Sequence, residues 1–269
     1  MKYIVRYGAM RLHGVFAHSN NAAPLFHGTS VIVRTSRGQE IATILCEATG
    51  EKLAELPQDI EENRIIRIMT ADDESEAKRI KNAESEEFER CQRIVKRLHI
   101  EMNLVRIEHI FGGERIIIYY VAEGRIDFRE LVRILAGEFQ TRIEMKQIGV
   151  RDETKLLADI GDCGREVCCN SYLIAMPPVS MKMAKLQKAT LDQTKISGRC
   201  GRLKCCLRYE FDNYNSDHEN LLTLGAIVLT PNGQAKIIQI DPLSKKITVE
   251  FENATIRDYF CEEISLCEL

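Results

Sequence analysis

From Lys2 to about Ala48, apolar and polar positions alternate in short runs: Tyr3, Val5 and Tyr7; Val31 and Val33; Ile41, Thr43 and Leu45, with breaks at Gly28 and Gly38. Side chains of a strand point alternately to opposite faces, so a period of two between turn residues predicts antiparallel strands. Residues 1–60 are expected to form a small β module that ends near Pro57.

The pattern changes in residues 61–148. Ile65 to Met69 reads as a strand, and Thr70 followed by Asp73 marks a helix start with an acidic first turn. That helix should run to about Leu98 on a thin apolar stripe of Ala77, Ile80, Cys91, Ile94, Val95 and Leu98. Leu104 to Ile110 and Arg115 to Val121 flank Gly112-Gly113 and predict a hairpin. Asp127 and Glu130 open a second helix whose Phe128, Leu131, Val132, Leu135 and Phe139 recur with helical spacing, and Thr141 to Ile148 closes with a strand. The order β-α-β-β-α-β is that of a ferredoxin-like split βαβ domain, a name that describes a fold and brings no iron with it.

Residues 149–222 read as short helical pieces among Gly and Cys clusters, broken at Pro177-Pro178. In residues 223–269, Ile227 to Thr230, the Pro231-Asn232-Gly233 turn, Lys236 to Ile240, Asp241-Pro242 and Ile247 to Phe251 predict a small β-barrel-like module whose plan echoes residues 28–48. The expected class is α+β: an N-terminal β module, a central split βαβ domain, a Cys-rich helical segment and a C-terminal β module.

Composition narrows the function. Hydrophobic residues at 45% and charged residues at 29% suit a chain with a filled core. A net charge of -3 favours no nucleic acid partner by itself, and zero Trp with 6% aromatics leaves little for a platform of stacking rings. No apolar run is long enough to span a membrane. The first residues, Met1 to Tyr7, lack the apolar stretch of a signal peptide, so a cytoplasmic location is expected.

Ten cysteines carry the strongest signal. Cys163-Gly164-Arg165-Glu166-Val167-Cys168-Cys169 and Cys200-Gly201-Arg202-Leu203-Lys204-Cys205-Cys206 are one motif, C-G-R-x-x-C-C, written twice at an offset of 37. Thiols at repeated spacing in a reducing compartment point to metal or redox chemistry. Four residues between thiols let the backbone curl around a soft ion or cluster, with Gly164 and Gly201 permitting close approach. Cys163 with Cys168 or Cys169, and Cys200 with Cys205 or Cys206, could supply four thiolates. Zinc more often uses two residues between paired ligands, whereas four also occurs in iron-sulfur frameworks. Arg165, Arg199, Arg202 and Lys204 would favour ionised thiols, Arg165 and Arg202 from within the motifs. The alternative is six buried thiols acting as small hydrophobes. Cys46, Cys91, Cys261 and Cys267 have no such spacing and read as ordinary core or surface thiols.

Between Lys182 and Arg208 eight bases (Lys182, Lys185, Lys188, Lys195, Arg199, Arg202, Lys204, Arg208) face one acid, Asp192. They could bind RNA phosphates, form an interface to an acidic partner, or simply be solvated. The eight acids against four bases in residues 72–90 could answer part of that charge within the chain. No catalytic constellation is apparent: His13, His18, His27, His99, His109 and His218 are scattered, and neither H-E-x-x-H nor a phosphate-binding G-x-x-x-x-G-K-[ST] occurs. A Cys-based oxidoreductase would need an exposed thiol of depressed pKa.

At the doubled motif the chain resembles the bacterial YaaT (RicT) family, whose shared region is the polymerase-suppressor C-terminal domain. The likeness spans roughly Gly28 to Phe251. It is densest at Gly124 to Val132, Thr141 to Lys155, the first Cys motif, Met181 to Lys185, and Lys195-Ile196-Ser197-Gly198 leading into the second motif. The resemblance implies a non-catalytic regulatory subunit that assembles with two small helical proteins, YlbF and YmcA, in a complex carrying 4Fe-4S clusters. It also implies action on RNase Y-dependent mRNA processing, with effects on sporulation, competence and biofilm formation. Carried over by position, the cluster residues would be Cys163, Cys168, Cys169, Cys200, Cys205 and Cys206. The competing reading is an RNA-binding module with a structural zinc site.

Overall fold

The computed structural model describes residues 1–18, 24–49, 62–157, 160–174, 177–190, 192–214, 225–241, 244, 246–260 and 263–266. Pro57, His218, Pro242, Cys261 and Cys267, to which the sequence assigned a boundary, a turn or a role, lie outside the described residues. The chain is α+β and forms two compact units, Met1–Met176 with Arg199–Arg202, and Pro177–Gly198 with Leu203–Leu269.

In the first unit, β1 (Lys2–Tyr7), β2 (Leu12–Ala17), β3 (Ser30–Thr35), β4 (Gly38–Glu47) and β5 (Glu62–Ile68) close into a barrel in the order β1-β2-β5-β3-β4. The alternating pattern works as expected: Tyr3, Val5, Phe16, Val31, Val33, Ala42, Ile44 and Ile65 fill the interior. The pairing of β5 differs from the sequence expectation. It has the position in the chain expected for the first strand of the central domain, but it pairs parallel to β2 and antiparallel to β3 and so completes the barrel. Alternation predicts a strand and which face is buried; it does not choose the partner, because hydrogen bonds are backbone to backbone and the same for every residue type.

The helix α1 (Ala71–Arg97) starts as read from the sequence. Thr70 caps it, with its side chain accepting from the Asp73 amide while Asp73 accepts from the Thr70 amide at 2.8 Å. Asp73 also pairs with Arg67 on β5, and this hydrogen-bonded guanidinium, helped by the Thr70 amide, holds the carboxyl well below the usual carboxylate range. A three-stranded sheet follows, β6 (Asn103–His109), β7 (Arg115–Val121) and β8 (Arg142–Gln147), with β6 antiparallel and β8 parallel to β7. The helix α2 (Arg129–Phe139) makes the crossover between the parallel strands. Ile116, Ile118 and Tyr120 of β7 join the core with Cys91, Ile94, Val95, Leu131 and Leu135 of the two helices. Ile117 and Tyr119 point to the other face, where Met10, Ile148 and Leu156 cover them. The β7 sequence Ile-Ile-Ile-Tyr-Tyr is continuously apolar because both of its faces are buried.

A polar cluster that the sequence did not reveal joins barrel and sheet. Arg37, in the β3–β4 turn, donates to Glu108 at 3.1 Å, to the Tyr119 hydroxyl at 3.2 Å and to Glu40 at 3.1 Å from Nε. Tyr119 donates to Glu108 at 2.6 Å, as does the Ala9 amide. Burial opposes the charge on Arg37, but Glu108 and Glu40 outweigh it and hold the guanidinium protonated. Gly8 sits at φ +69, and a Cβ there would lie 2.2 Å from Nη2 of Arg37, so this turn requires glycine for both conformation and space.

The second unit contains short helices and five antiparallel strands: β9 (Ile227–Thr230), β10 (Gly233–Asp241), β11 (Lys246–Glu250), β12 (Ile256–Phe260) and β13 (Ser265–Leu266), ordered β12-β11-β10-β9-β13. Val228, Ala235, Ile237, Ile240, Ile247 and Val249 form its core. The echo between the two β modules is physical at the β3–β4 and β9–β10 hairpins. The Thr35 hydroxyl accepts from the Arg37 amide at 3.1 Å and donates to the Gly38 carbonyl at 3.3 Å, and the Thr230 hydroxyl does the same with Asn232 at 3.2 Å and Gly233 at 2.8 Å.

Candidate cysteine site

The two motifs are folded alike, each within its own surroundings. Ile160 bridges to Glu166 around the first, and Ser197 bridges to Leu203 around the second, at the same offset of 37 residues that separates the motifs. Gly164 and Gly201 occupy the same place in the turn with φ +75 and +71. A Cβ at either would meet nothing within 4 Å, so what these positions require of glycine is the left-handed backbone. A single helical turn follows each motif, α4 (Cys168–Ser171) and α7 (Cys206–Tyr209). The remaining helices of this region are α3 (Val150–Leu157), α5 (Met181–Leu186) and α6 (Gln193–Ile196).

The first motif is tied to the barrel. Arg11, in the β1–β2 turn, donates to the Asn170 carbonyl at 2.7 Å and pairs with Glu166 at 3.5 Å, while Asn170 donates to Glu166 at 2.5 Å. Within the motif the Gly161 amide donates to the Arg165 carbonyl at 2.8 Å and closes the loop. Cys163 is exposed, Cys168 half-buried beside the Tyr172 hydroxyl at 3.5 Å, and Cys169 buried.

Cys200 belongs to this same unit, as do Arg199 and Arg202. Burial raises the pKa of Cys169 first, a backbone hydrogen bond lowers it in part, and charge at Cys200 raises it against the pull of Lys155 and Arg151. One thiol from each motif therefore lies within charge range of the other. The cations acting on Cys169 come from α3. The guanidinium of Arg202 and the carboxylate of Asp152 both approach Gly149, each 3.9 Å from where its Cβ would be. Cys205 and Cys206 are half-buried and belong to the second unit. None of the eight described cysteines forms a disulfide, and among the described residues no three His, Cys, Asp or Glu side chains converge as metal ligands. Cys91 is a core residue and Cys46 packs in the barrel wall, as their isolated spacing suggested.

The basic run is divided between the two units. Arg199 and Arg202 lie in the first unit and Lys182, Lys185, Lys188, Lys195, Lys204 and Arg208 in the second. There Lys188 donates to the Ile240 carbonyl, and Arg208 pairs with Asp212 at 2.9 Å. Acids of residues 72–90 pair locally: Glu76 with Arg79 at 2.6 Å, Glu86 with Arg90 at 3.8 Å, and Glu87 with the His109 ring. Among the described residues no helix is long and apolar enough to cross a membrane.

The central sheet and the cysteine-rich region are where the chain matches family models of the PSP1 class: the PSP1 C-terminal conserved region over residues 63–148, and the PSP1-like protein third domain over residues 178–221. The first of these matches begins in β5, the strand shared with the barrel. The stage 0 sporulation protein YaaT of Bacillus subtilis (strain 168) is 39% identical over 251 residues, 93% of this chain and 90% of that protein. The chain belongs to the YaaT family. No solved structure matches it.

Proposed function

We propose that this chain is a non-catalytic cytoplasmic regulatory subunit whose two C-G-R-x-x-C-C loops contribute thiolates to a 4Fe-4S cluster within a protein complex. The observation that carries this reading is the proximity of Cys169 and Cys200, thiols of different motifs in one compact unit. Thiolates are soft donors and select iron-sulfur clusters or zinc over hard cations. Arg11, Glu166 and Asn170 hold the first loop, Arg151 and Lys155 favour ionised Cys169, and the left-handed glycines set the loop shape. Cys163, Cys168, Cys205 and Cys206 are the further candidates from the repeat. Because three donors do not converge among the described residues, the reading assigns completion of the shell to assembly. When bound, such a cluster supplies a redox- and oxygen-sensitive element.

The YaaT relative is named for stage 0 of sporulation, and by extension this chain acts in developmental regulation. Partners resembling YlbF and YmcA, and an output through RNase Y-dependent mRNA processing, follow from the family resemblance. The test is affinity purification of the tagged full chain from its native cells under anaerobic conditions. Small helical partners retained by the natural chain and lost with Cys169→Ser or Cys200→Ser support the reading. Partner-free chain carrying zinc and binding RNA in a salt-dependent manner would replace it with the RNA-binding alternative.

A further inference from the structure

A second site is built where β7 and β8 end. These strands are parallel and joined by the crossover helix α2, and Tyr120 and Gln147 are register partners next to their carboxyl ends. In a parallel βαβ unit this end gathers the strand termini and the amino end of the helix, where unpaired amides favour negative charge. Here a cleft of about 640 Å³ opens, lined by Tyr120, Arg125, Ile126, Asp127, Phe128, Arg129 and Gln147.

The first turn of α2 is incompletely capped. Phe128 at the cap position supplies no side-chain acceptor, and Asp127 takes only the Arg129 amide at 3.1 Å. The Asp127 carboxylate is also held by the Arg129 guanidinium, at 2.9 Å from Nε and 2.5 Å from Nη2. Arg125 is exposed and makes no ion pair with a described residue. The independent observation is Tyr120. Its residue is 4% exposed, its ring is packed edge-on against Phe128 at 6.4 Å, and its hydroxyl has no hydrogen-bond partner among the described residues while its side chain lines the cleft. The ring is buried while the hydroxyl opens on the cleft, which leaves it free to donate to a ligand there.

We propose that this cleft binds the oxyanion of a small phosphorylated or carboxylated ligand, with the Tyr120 hydroxyl and the Arg125 guanidinium as donors. The lining carries two arginines against one aspartate, a balance that favours an anion, and Ile126 and Phe128 offer an apolar wall for the ligand's organic body.

The test is calorimetric titration of the full chain with inorganic phosphate, pyrophosphate and acetate, at ionic strength held constant with sodium chloride. Saturable binding of the phosphates but not acetate identifies a phosphorylated ligand, and the reverse a carboxylate. Arg125→Ala is expected to weaken binding about tenfold or more, and Tyr120→Phe, which keeps the ring, roughly three- to tenfold. Arg125 is exposed, so its variant keeps the test valid if Tyr120→Phe fails to fold. No saturable binding by any of these anions, or binding that Arg125→Ala leaves unchanged, would overturn the proposal.

Discussion

Cys169 and Cys200, from different copies of the repeated motif, belong to one compact unit, where a charge at Cys200 opposes the ionisation of Cys169. Since the thiolate is the reactive form, alkylation at pH 8 should be graded. Exposed Cys163 should react first and Cys169 last among the cysteines of its loop, and Cys200→Ser should quicken Cys169 by removing the neighbouring charge. Cys91, whose pKa burial pushes up to about 12 with help from Glu87 and Glu138, should stay unmodified until the protein unfolds. Peptide mass spectrometry over a labelling time course reads all of these, and Cys169 reacting as fast as Cys163 would contradict the assignment.

Among the described residues, Arg37 is the cation that pairs with the two buried carboxylates of Glu40 and Glu108, and its side chain is itself only 12% exposed. Removing one partner from such a cluster leaves charge unanswered, at a cost of about 3–5 kcal/mol. Arg37→Met should therefore lower stability to urea by that order. Arg34→Met, which breaks a surface pair with Glu114 at 3.2 Å, should cost at most about 1 kcal/mol. Equal effects would show that the buried cluster has no special weight.

Thr70→Ala removes the cap of α1 and one arm of its reciprocal box with Asp73. The expected loss is about 1 kcal/mol in chemical denaturation, restored in large part by Thr70→Ser. Faster amide exchange should be confined to the first turn of the helix.

His13 is held neutral: burial first, then Lys155 and Arg6, lower its pKa to about 4. An unfolded histidine binds its proton near pH 6.5, so the unfolded chain takes up the proton before the folded one. Stability from this group is full above about pH 6.5 and is lost as the pH falls toward 4. Melting curves at pH 7 and pH 4.5 should differ less for His13→Gln than for the natural chain. An unchanged difference would assign the acid sensitivity to other groups.

What could be read from the sequence was local. Thr70 and Asp73 lie three residues apart, Gly112-Gly113 is a turn by itself, and the repeat at 163 and 200 carries its left-handed glycines in the text. The positions of Leu131 and Leu135 followed from helical spacing, and both are buried. What escaped was set by pairing over distance. β5 could have joined either neighbouring sheet, since its alternation suits both. Arg37 meets Glu108 across 71 residues, and Arg11, Arg151 and Lys155 reach the first cysteine loop from elements whose own sequences name no metal or thiol. The cleft lined by Tyr120 and Arg125 was not legible because its residues come together only where two parallel strands end side by side.

The most direct test of the central claim is iron and acid-labile sulfide analysis of the full chain, purified anaerobically with its native partners. The account predicts a brown complex with iron and sulfide in equal amounts, both lost in Cys169→Ser and in Cys200→Ser without a change in the melting of the barrel-containing unit. A complete complex with stoichiometric zinc and no sulfide, or one whose iron survives both substitutions, would contradict it.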